Sequence, residues 1–400
     1  MPRFLRIACL CAAVATLAAC SNVRVVQEGP SGHERPPGEL PPPMRSDRAN
    51  TADFPPGVDG YRPPARLAVL LPMSGNVSSA GQSVRDGFLA AYYAETRTRP
   101  VVKFYDSQGT GAGAQAALSK AIADGAQMVV GPLTREEVNG VLGQAGNLPT
   151  IALNRGGKSP PSGSASFALL PEDEGADAAE RLAARGLLQV LVVAARGDSS
   201  QRAVLAFRNA LKERGGAVVG EVPIAGEIPD LSTQLGNYRS AATPPQAVFL
   251  SLDAAQARTV AAQLKTSALA PLPRIATSQL LNGIGGKNDV ELDGIEYPEM
   301  PWLLGENVGL PDAASLSRLP GARGGGQRLF AFGADAWRLA AYFERLYNDP
   351  GQSLRGATGE LSISIGGPVE RTPAWAVFSG GRGRPAPAVA PRARDGGGQH

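Results

Sequence analysis

Short apolar runs alternate with longer amphipathic stretches from about residue 66 to residue 280. The runs are mostly apolar at consecutive positions, which is typical of parallel strands buried on both faces. The stretches between them carry apolar residues at helical spacing, as Val84, Phe88, Ala91 and Tyr92 do. The predicted strands are 66–72, 101–105, 127–131, 149–154, 166–170, 189–194, 217–223, 247–251 and 274–277. The predicted helices are 82–95, 112–125, 136–145, 173–185, 200–214, 231–241 and 254–267.

This alternation predicts an α/β fold with parallel sheets, right-handed crossovers and helices on both faces of each sheet. The series consists of two consecutive units of about 100 residues each, so we expect two doubly wound lobes instead of one long sheet. The last part differs from this pattern. Residues 330–378 predict one helix over 330–347, followed by strands over 360–365, 369–371 and 374–378.

The two ends of the chain have a different composition from the middle. Residues 23–64 include ten prolines and few large apolar side chains, so they cannot bury a core. Proline favours the extended polyproline II conformation, and we therefore expect residues 20–64 to form a disordered tether. Residues 381–400 are rich in Gly, Pro, Arg and Ala, and they predict a disordered tail.

The first twenty residues have the pattern of an export signal. Arg3 and Arg6 precede an apolar run over 7–16, which is too short to span a bilayer. The residues Leu17-Ala-Ala-Cys20 then resemble the lipobox of bacterial lipoproteins. That resemblance implies cleavage after residue 19 and acylation of Cys20, which would anchor the chain to a membrane. Ser21, at the position where Asp favours inner-membrane retention, implies sorting to the outer membrane.

Cysteine and histidine usage excludes several kinds of site. The only cysteines are Cys9, Cys11 and Cys20, and the only histidines, His33 and His400, lie in the two end segments. A thiol nucleophile, a Ser–His triad and a metal site with Cys or His ligands are therefore excluded from the middle of the chain. The glycines lack the spacing of phosphate or dinucleotide loops. We expect no enzyme activity, no metal and no cofactor.

The charge of the chain gives no reason to expect nucleic acid as a partner. Its formal net charge is +3, from 39 Lys and Arg against 36 Asp and Glu. The basic residues do not form a stripe with interleaved aromatic residues, as nucleic-acid-binding surfaces commonly do.

Several segments resemble type I periplasmic binding proteins and, more closely, the LppC family of penicillin-binding-protein activator lipoproteins. They are Leu67-Ala-Val-Leu-Leu-Pro-Met-Ser-Gly75, residues 81–93, Val129-Val-Gly-Pro-Leu133, residues 149–154, Gly333-Ala-Asp-Ala336, and Gly356-Ala-Thr-Gly359 followed by Trp375. The resemblance covers about residues 66–380. It implies two lobes joined by three crossovers, with lobe 1 at 65–168 and 281–345, and lobe 2 at 169–280 and 346–380.

The resemblance also implies a function. Members of the family are outer-membrane lipoproteins that activate a bifunctional penicillin-binding protein, which synthesises peptidoglycan. Long members carry a helical-repeat domain before the binding-protein module, whereas here a proline-rich segment occupies that place.

The carboxyl ends of parallel strands predict a cleft where a small ligand could bind. The candidates are Ser74, Gly75, Thr134 and Asn154, because Ser or Thr in such loops holds the ligand's carboxylate in amino-acid-binding relatives. The alternative is structural, with glycines that permit turns and polar side chains that cap helices. The competing function is therefore that of a substrate-binding lipoprotein of an ABC uptake system for amino acids or related small solutes.

Overall fold

The computed structural model describes residues 57–281 and 289–389. The strands are β1 (Arg66–Leu71), β2 (Val101–Asp106), β3 (Met128–Val130), β4 (Thr150–Ala152), β5 (Ala165–Ser166), β6 (Gln189–Ala195), β7 (Ala217–Ile224), β8 (Ala247–Ser251), β9 (Arg274–Ala276), β10 (Ile295–Glu299), β11 (Leu354–Arg355), β12 (Glu360–Ile363), β13 (Val369–Thr372), β14 (Ala374–Ser379) and β15 (Arg382–Pro385). The helices are α1 (Ser78–Ala94), α2 (Gly111–Ala123), α3 (Arg135–Val141), α4 (Pro171–Ala184), α5 (Asp198–Glu213), α6 (Ser232–Arg239), α7 (Ala254–Thr266), α8 (Gly326–Ala341) and α9 (Phe343–Asn348).

The first lobe is built on a parallel sheet with the strand order β2-β1-β3-β4-β5. Successive side chains of β1 face opposite layers of the lobe. Leu67, Val69 and Leu71 belong to the apolar cluster that includes residues of α1 and α8, whereas Ala68 and Leu70 pack with residues of α2. Because both faces are covered, the strand is apolar at every position after Arg66.

The second lobe is built on a seven-stranded sheet with the order β15-β14-β10-β9-β8-β6-β7. Strands β6 to β10 pair in parallel, and β14 and β15 add an antiparallel edge. The chain passes between the lobes three times: from β5 into α4, after β10, and from β13 into β14. These crossings confirm the predicted bilobed α/β fold with three crossovers.

A small antiparallel sheet, β11-β12-β13, completes the first lobe. Ser166 of β5 forms a bridge with Pro368. The apolar side chains of this sheet, Leu361, Ile363 and Val369, belong to the same buried cluster as β1 and α8.

The lobe boundaries differ from those predicted. Residues 289–299 were expected in lobe 1, but β10 hydrogen bonds to β9 and β14 and therefore belongs to lobe 2. Residues 346–372 were expected in lobe 2, but the small sheet packs into the core of lobe 1. The sequence predicted no strand at β10, because Pro298 and two glutamates are atypical of a buried parallel strand.

Both predicted disordered ends are partly ordered. Arg382–Pro385, expected in the disordered tail, forms β15 and pairs with β14. Residues 57–64, expected in the tether, pack against lobe 1. The predicted signal peptide, the predicted acylation site Cys20, the predicted tether up to residue 56 and the predicted tail from residue 390 lie outside the described residues. Within the two described ranges, every helix is too short or too polar for a membrane span.

The segment before β1 is held by a group of side chains that we call the tether clasp: Asp59, Tyr61, Arg97 and Tyr342. Tyr61 is only 5% exposed and donates from its hydroxyl to the carbonyl of Thr98 at 2.8 Å. Arg97 lies 3.8 Å from the centre of the Tyr61 ring and donates to both carboxylate oxygens of Asp59. Tyr342 donates to the same carboxylate at 2.7 Å. The clasp therefore fixes the point where the preceding chain leaves lobe 1.

Helices α1 and α8 cross at two glycines. A Cβ atom on Gly87 would lie 1.8 Å from the carbonyl oxygen of Phe330, and one on Gly333 would lie 1.9 Å from the carbonyl oxygen of Val84. Both distances are far below van der Waals contact, and in each case the obstacle is backbone. The close approach therefore requires glycine at both positions, and it brings the late helix α8 back to the first lobe.

We predict that Gly87→Ala or Gly333→Ala lowers the free energy of unfolding by at least about 2 kcal/mol, because the added methyl group must push the two helices apart. Urea denaturation of the purified variants measures the loss. Gly236→Ala is the matched control: Gly236 lies within α6 with no atom within 4 Å of the added Cβ. Equal stability of all three variants would contradict the proposed role of the crossing.

Candidate functional site

The cleft edge of lobe 1 begins at the loop after β1, where Ser74 and Gly75 were predicted to bind a ligand. The carboxylate of Asp106, at the end of β2, accepts from the N–H groups of Met73 (2.8 Å), Ser74 (3.2 Å) and Gln108 (2.9 Å). It also accepts from the Ser74 hydroxyl at 2.7 Å. Burial raises the pKa of Asp106, but these hydrogen bonds outweigh it, so its pKa lies below the usual value. The loop thus binds an internal carboxylate.

The next loop along this edge has the same feature. Thr134 caps α3: its hydroxyl accepts from the Glu137 N–H at 3.3 Å, and its own N–H donates to the Glu137 carboxylate at 2.8 Å. Glu137 is fully buried and also accepts from the Gly109 N–H at 3.0 Å. One carboxylate therefore joins the loop after β2 to the loop after β3.

Asn154 contacts the residue before Thr134, and its side chain also makes hydrogen bonds within lobe 1. Its side-chain amide donates to the Leu133 carbonyl at 3.0 Å, and its side-chain oxygen accepts from the Arg155 N–H at 2.9 Å. The fold therefore brings Ser74, Gly75, Thr134 and Asn154 to one continuous edge. Each of the three polar side chains already makes a hydrogen bond within lobe 1. Binding of a ligand by these residues stays a prediction.

Sequence reasoning missed Asp106 and Glu137, although both positions carried a signal. Asp106 directly follows a predicted strand, which places it at the carboxyl edge of the sheet. Thr134 and Glu137 have the three-residue spacing of a capping box. Asp106 and Glu137 make this edge unfavourable for an anionic ligand. A ligand carboxylate placed at these N–H groups would be repelled by two internal carboxylates.

The contact between the lobes is ionic. Arg155 of lobe 1 lies 3.2 Å from Asp173 of α4. Arg328 of α8 pairs with Glu299 at 2.6 Å and approaches Glu174 of α4 at 3.6 Å. Glu174 is buried and also accepts from the N–H and hydroxyl of Ser278 at 2.7 and 2.6 Å. The first turns of α4 thus face arginines from the other lobe.

Asp177 lies one turn further along α4, near Arg371 of β13. Burial raises the pKa of Asp177 to about 7, and the attraction of Arg371 only partly offsets it. One carboxylate oxygen, Oδ2, is buried without a hydrogen-bond partner among the described residues. In the sequence, Glu172, Asp173 and Glu174 indicate only a charged helix start, because the facing arginines come from distant parts of the chain.

The family model described as "LppC putative lipoprotein" matches residues 61–381, which is most of the chain. The chain belongs to the LppC lipoprotein family. The penicillin-binding protein activator LpoA of Dickeya chrysanthemi is 30% identical over 332 residues, covering 71% of this chain and 47% of that protein. The chain spans about half the length of the curated relatives it matches.

Two solved structures have the same fold as this LppC protein. The LpoA (YraM) C-domain of Haemophilus influenzae, described as a regulator of PBP1A, is 24% identical with a TM-score of 0.68, covering 80% of this chain and 99% of that one. The "putative branched-chain amino acid ABC transporter" of Chromobacterium violaceum is 28% identical with a TM-score of 0.63, covering 78% of this chain and 99% of that one. The type I periplasmic-binding-protein fold is therefore confirmed.

Two of the LppC motifs meet inside lobe 1. Asp335, from Gly333-Ala-Asp-Ala336, is fully buried and accepts from the N–H groups of Ala357 and Thr358 at 2.6 and 2.7 Å. It also accepts from the Thr358 hydroxyl at 2.6 Å. A Cβ on Gly356 would lie 2.6 Å from the Asp335 carboxylate. These motif residues therefore attach the turn before β12 to α8 and have a structural role.

We predict that Asp106→Ala opens an anion site, because the Ser74 loop loses the carboxylate that its donors bind. Sodium acetate should then raise the melting temperature of the variant by more than that of the unaltered protein, with sodium chloride as the salt control. Asp230→Ala is the matched control, because Asp230 caps only the nearby Ser232. Equal acetate responses of all three proteins would contradict this account of the edge.

We predict that Asp177 makes stability depend on pH. The pKa of Asp177 is about 7 in the folded protein and near 3.8 in the unfolded chain. The free energy of unfolding therefore falls as the pH rises from about 4 to 7, and above pH 7 it stays at the lower value. Asp177→Asn removes this loss, so the melting temperature of the variant relative to the unaltered protein should increase between pH 5 and pH 8. Glu180→Gln, on the exposed side of α4, is the control. A pH-independent difference would show that the Asp177 pKa is ordinary.

Proposed function

We propose that this protein is an outer-membrane lipoprotein that binds a bifunctional penicillin-binding protein and stimulates peptidoglycan synthesis. The observation that carries the proposal is the family match over residues 61–381, together with relatives named as activators of such enzymes. The chain matches the C-domain of the Haemophilus influenzae regulator along nearly the whole length of that domain. We therefore place the stimulating contact within the two-lobed body.

The chemistry of the cleft edge favours action by protein contact. The donors that would bind a solute carboxylate, in the loops at Ser74 and Thr134, already bind Asp106 and Glu137. Within residues 57–281 and 289–389, the structure also has no group of three or more His, Cys, Asp or Glu side chains that could hold a metal ion. A body that presents a fixed surface needs neither a bound solute nor a catalytic centre.

The proposed anchor is the acylated Cys20, with Ser21 directing the chain to the outer membrane. Between Cys20 and Gly57, where the described body begins, the chain would span about 35 Å as a flexible coil. Fully extended, it would span about 120 Å. A tether in this range lets the body contact an enzyme held in the opposite membrane.

The alternative is a substrate-binding lipoprotein of an ABC uptake system. Its support is the similarity to the Chromobacterium violaceum structure, which has a higher sequence identity than the Haemophilus influenzae domain but a lower TM-score. This function requires a cleft that accepts the solute, and the internal carboxylates at the cleft edge disfavour amino acids there.

We predict that the full chain, purified in detergent, raises the glycan-polymerising or cross-linking rate of the bifunctional synthase from the same cell. Labelled lipid II is the substrate, and product length and cross-linking are the readouts. The Cys20→Ser variant should stimulate equally in detergent, because it alters only the anchor. In cells, the same variant should lose palmitate labelling and leave the outer-membrane fraction.

The result that contradicts the proposal is an unchanged synthase rate at saturating protein. A rise of several degrees in melting temperature with one amino acid, together with an unchanged synthase rate, would instead support the uptake function.

A further inference from the structure

A groove at the base of lobe 1 is used neither by the cleft nor by the contact between the lobes. It lies at the amino ends of the strands, because its walls include Ala65, Gln127 and Pro149, which immediately precede β1, β3 and β4. Its volume is about 540 Å³. We call it the base groove, and its apolar walls are formed by Pro63, Pro64, Met128, Pro149, Phe343 and Tyr347.

The aromatic wall of the base groove is held in place by lobe 1. Phe343 and Tyr347 lie one turn apart on α9, and their rings stack with centroids 5.2 Å apart. Phe343 is only 7% exposed and belongs to the core of lobe 1. The Tyr347 hydroxyl accepts from the Gly163 N–H at 2.7 Å. A groove with a fixed aromatic wall is the kind of site in which proline-rich segments dock in the polyproline II conformation.

The polar atoms of the base groove include donors that no protein acceptor uses. The side-chain oxygen of Gln127 accepts from the Arg66 N–H at 3.0 Å, whereas its side-chain NH₂ group donates to no atom of residues 57–281 and 289–389. Within the same ranges, the side-chain NH₂ group of Asn348 also donates to no atom, and the Tyr347 hydroxyl only accepts. A segment with unpaired carbonyl groups therefore complements the groove.

The sequence Phe54-Pro55-Pro56 has this complementary chemistry. Proline has no N–H, and the carbonyl groups of a polyproline II segment make no internal hydrogen bonds. A residue that precedes proline, as Phe54 does, is restricted to extended conformations. Phe54 is also the only Phe, Tyr or Trp between Cys20 and Gly57. The three residues thus supply an aromatic ring, two proline rings and carbonyl acceptors.

The described chain begins beside the base groove. Gly57 lines an adjoining pocket, and the two pockets share Arg62, Glu344 and Asn348 as walls. The Gly57 N–H donates to the Tyr61 carbonyl at 2.9 Å, so the turn that leads into the tether clasp fixes the position of Gly57. The three residues before Gly57 reach about 10 Å when extended, which lets them pass the Arg62–Glu344 ion pair that both pockets share.

Covalent attachment favours this segment over a free ligand. A segment joined to its site by a short linker is present there at an effective concentration in the millimolar range. The tether clasp already holds Asp59 and Tyr61 in place. Only the residues just before Gly57 must still be ordered, which limits the loss of conformational entropy.

We propose that Phe54-Pro55-Pro56 occupies the base groove in a polyproline II conformation. The Phe54 ring packs against Phe343 and Tyr347. The side-chain amides of Gln127 and Asn348 donate to carbonyl groups of the segment. The contact makes the end of the tether part of lobe 1, so the flexible chain stops before Phe54 and lobe 1 has a fixed orientation relative to it. The proposal goes beyond the proposed function and does not depend on it.

Photo-crosslinking of the full chain in detergent tests the contact directly. The photoreactive residue p-benzoylphenylalanine in place of Phe54 should crosslink within the same chain to residues 343–348, and mass spectrometry of the tryptic peptides identifies the site. The same probe in place of Leu40, which is further from Gly57 along the tether, is the matched control. It should give no preferred site.

A variant of the groove tests the hydrogen bonds. Asn348→Asp removes a donor, so the ratio of crosslinked to free chain for the probe at position 54 should fall about fivefold, as expected for the loss of one hydrogen bond. Asn237→Asp is the matched control, because Asn237 is also an exposed helix residue, on α6 of lobe 2. Thermal melting verifies that both variants stay folded.

A variant of the segment tests its contribution to stability. Phe54→Ala should lower the melting temperature by about 2 to 4 °C, because the docked ring is removed from water only in the folded protein. Leu40→Ala should leave the melting temperature unchanged. Neither substitution alters the core of either lobe, since both positions precede Gly57.

Two results would overturn the proposal. One is a probe at position 54 that gives no preferred site, together with equal melting temperatures of Phe54→Ala and Leu40→Ala. The other is a crosslink from position 54 to a second copy of the chain or, when the synthase is added, to the synthase. That crosslink would show that the segment binds elsewhere.

Discussion

The close crossing of α1 and α8 is the constraint on which the rest of the structure depends. The crossing is possible only because Gly87 and Gly333 let each helix touch the other's backbone carbonyls. It returns the late part of the chain to lobe 1 after most of lobe 2 has been built. From that position α8 presents Asp335 to the turn before β12 and Arg328 to Glu299 and Glu174 at the lobe boundary. One helix therefore joins the core of lobe 1, the small sheet and the contact with lobe 2.

This arrangement explains how a binding-protein fold can serve a role other than solute binding. The loops that face the cleft satisfy their own donors with Asp106 and Glu137, and arginines of lobe 1 already engage the carboxylates of α4. A solute carboxylate would have to displace these contacts. We infer that the two lobes keep one relative position and that the useful surface is on the outside, which agrees with the proposed role as an activator.

Local patterns predicted most of the fold. Most runs from β1 to β9 were visible because a parallel strand covered on both faces is continuously apolar, although the edge strands β2 and β7 include polar residues. Most helices from α1 to α7 had an apolar stripe, whereas Leu235 is the only buried residue of α6. Strand β10 was missed because Pro298 and its glutamates interrupt the apolar pattern at a position where neighbours in the sheet decide the structure. The ordered residues 57–64 were missed for a similar reason: Tyr61 is held by Arg97 and Tyr342, which are distant in sequence.

The candidate site was predicted in position but not in chemistry. The strand ends correctly located Ser74, Thr134 and Asn154 at one edge, because parallel strands place their carboxyl ends together. The sequence did not show that Asp106 and Glu137 are the hydrogen-bond partners of these loops. A carboxylate such as Asp106, taken from the sequence alone, is equally compatible with an exposed surface residue and with a residue that caps a loop. The ionic contact between the lobes depends on Arg155, Arg328 and Arg371, whose common position follows only from the three crossovers.

The distance between the lobes in solution tests the central claim most directly. Because the chain has no cysteine after Cys20, spin labels can be attached at Ile122→Cys in lobe 1 and Leu205→Cys in lobe 2, both of which are exposed. Double electron–electron resonance then measures the label separation with and without amino acids and peptidoglycan fragments. The account predicts one narrow distance that these solutes leave unchanged. A broad distribution, or a shift to a shorter distance with a solute, would contradict it.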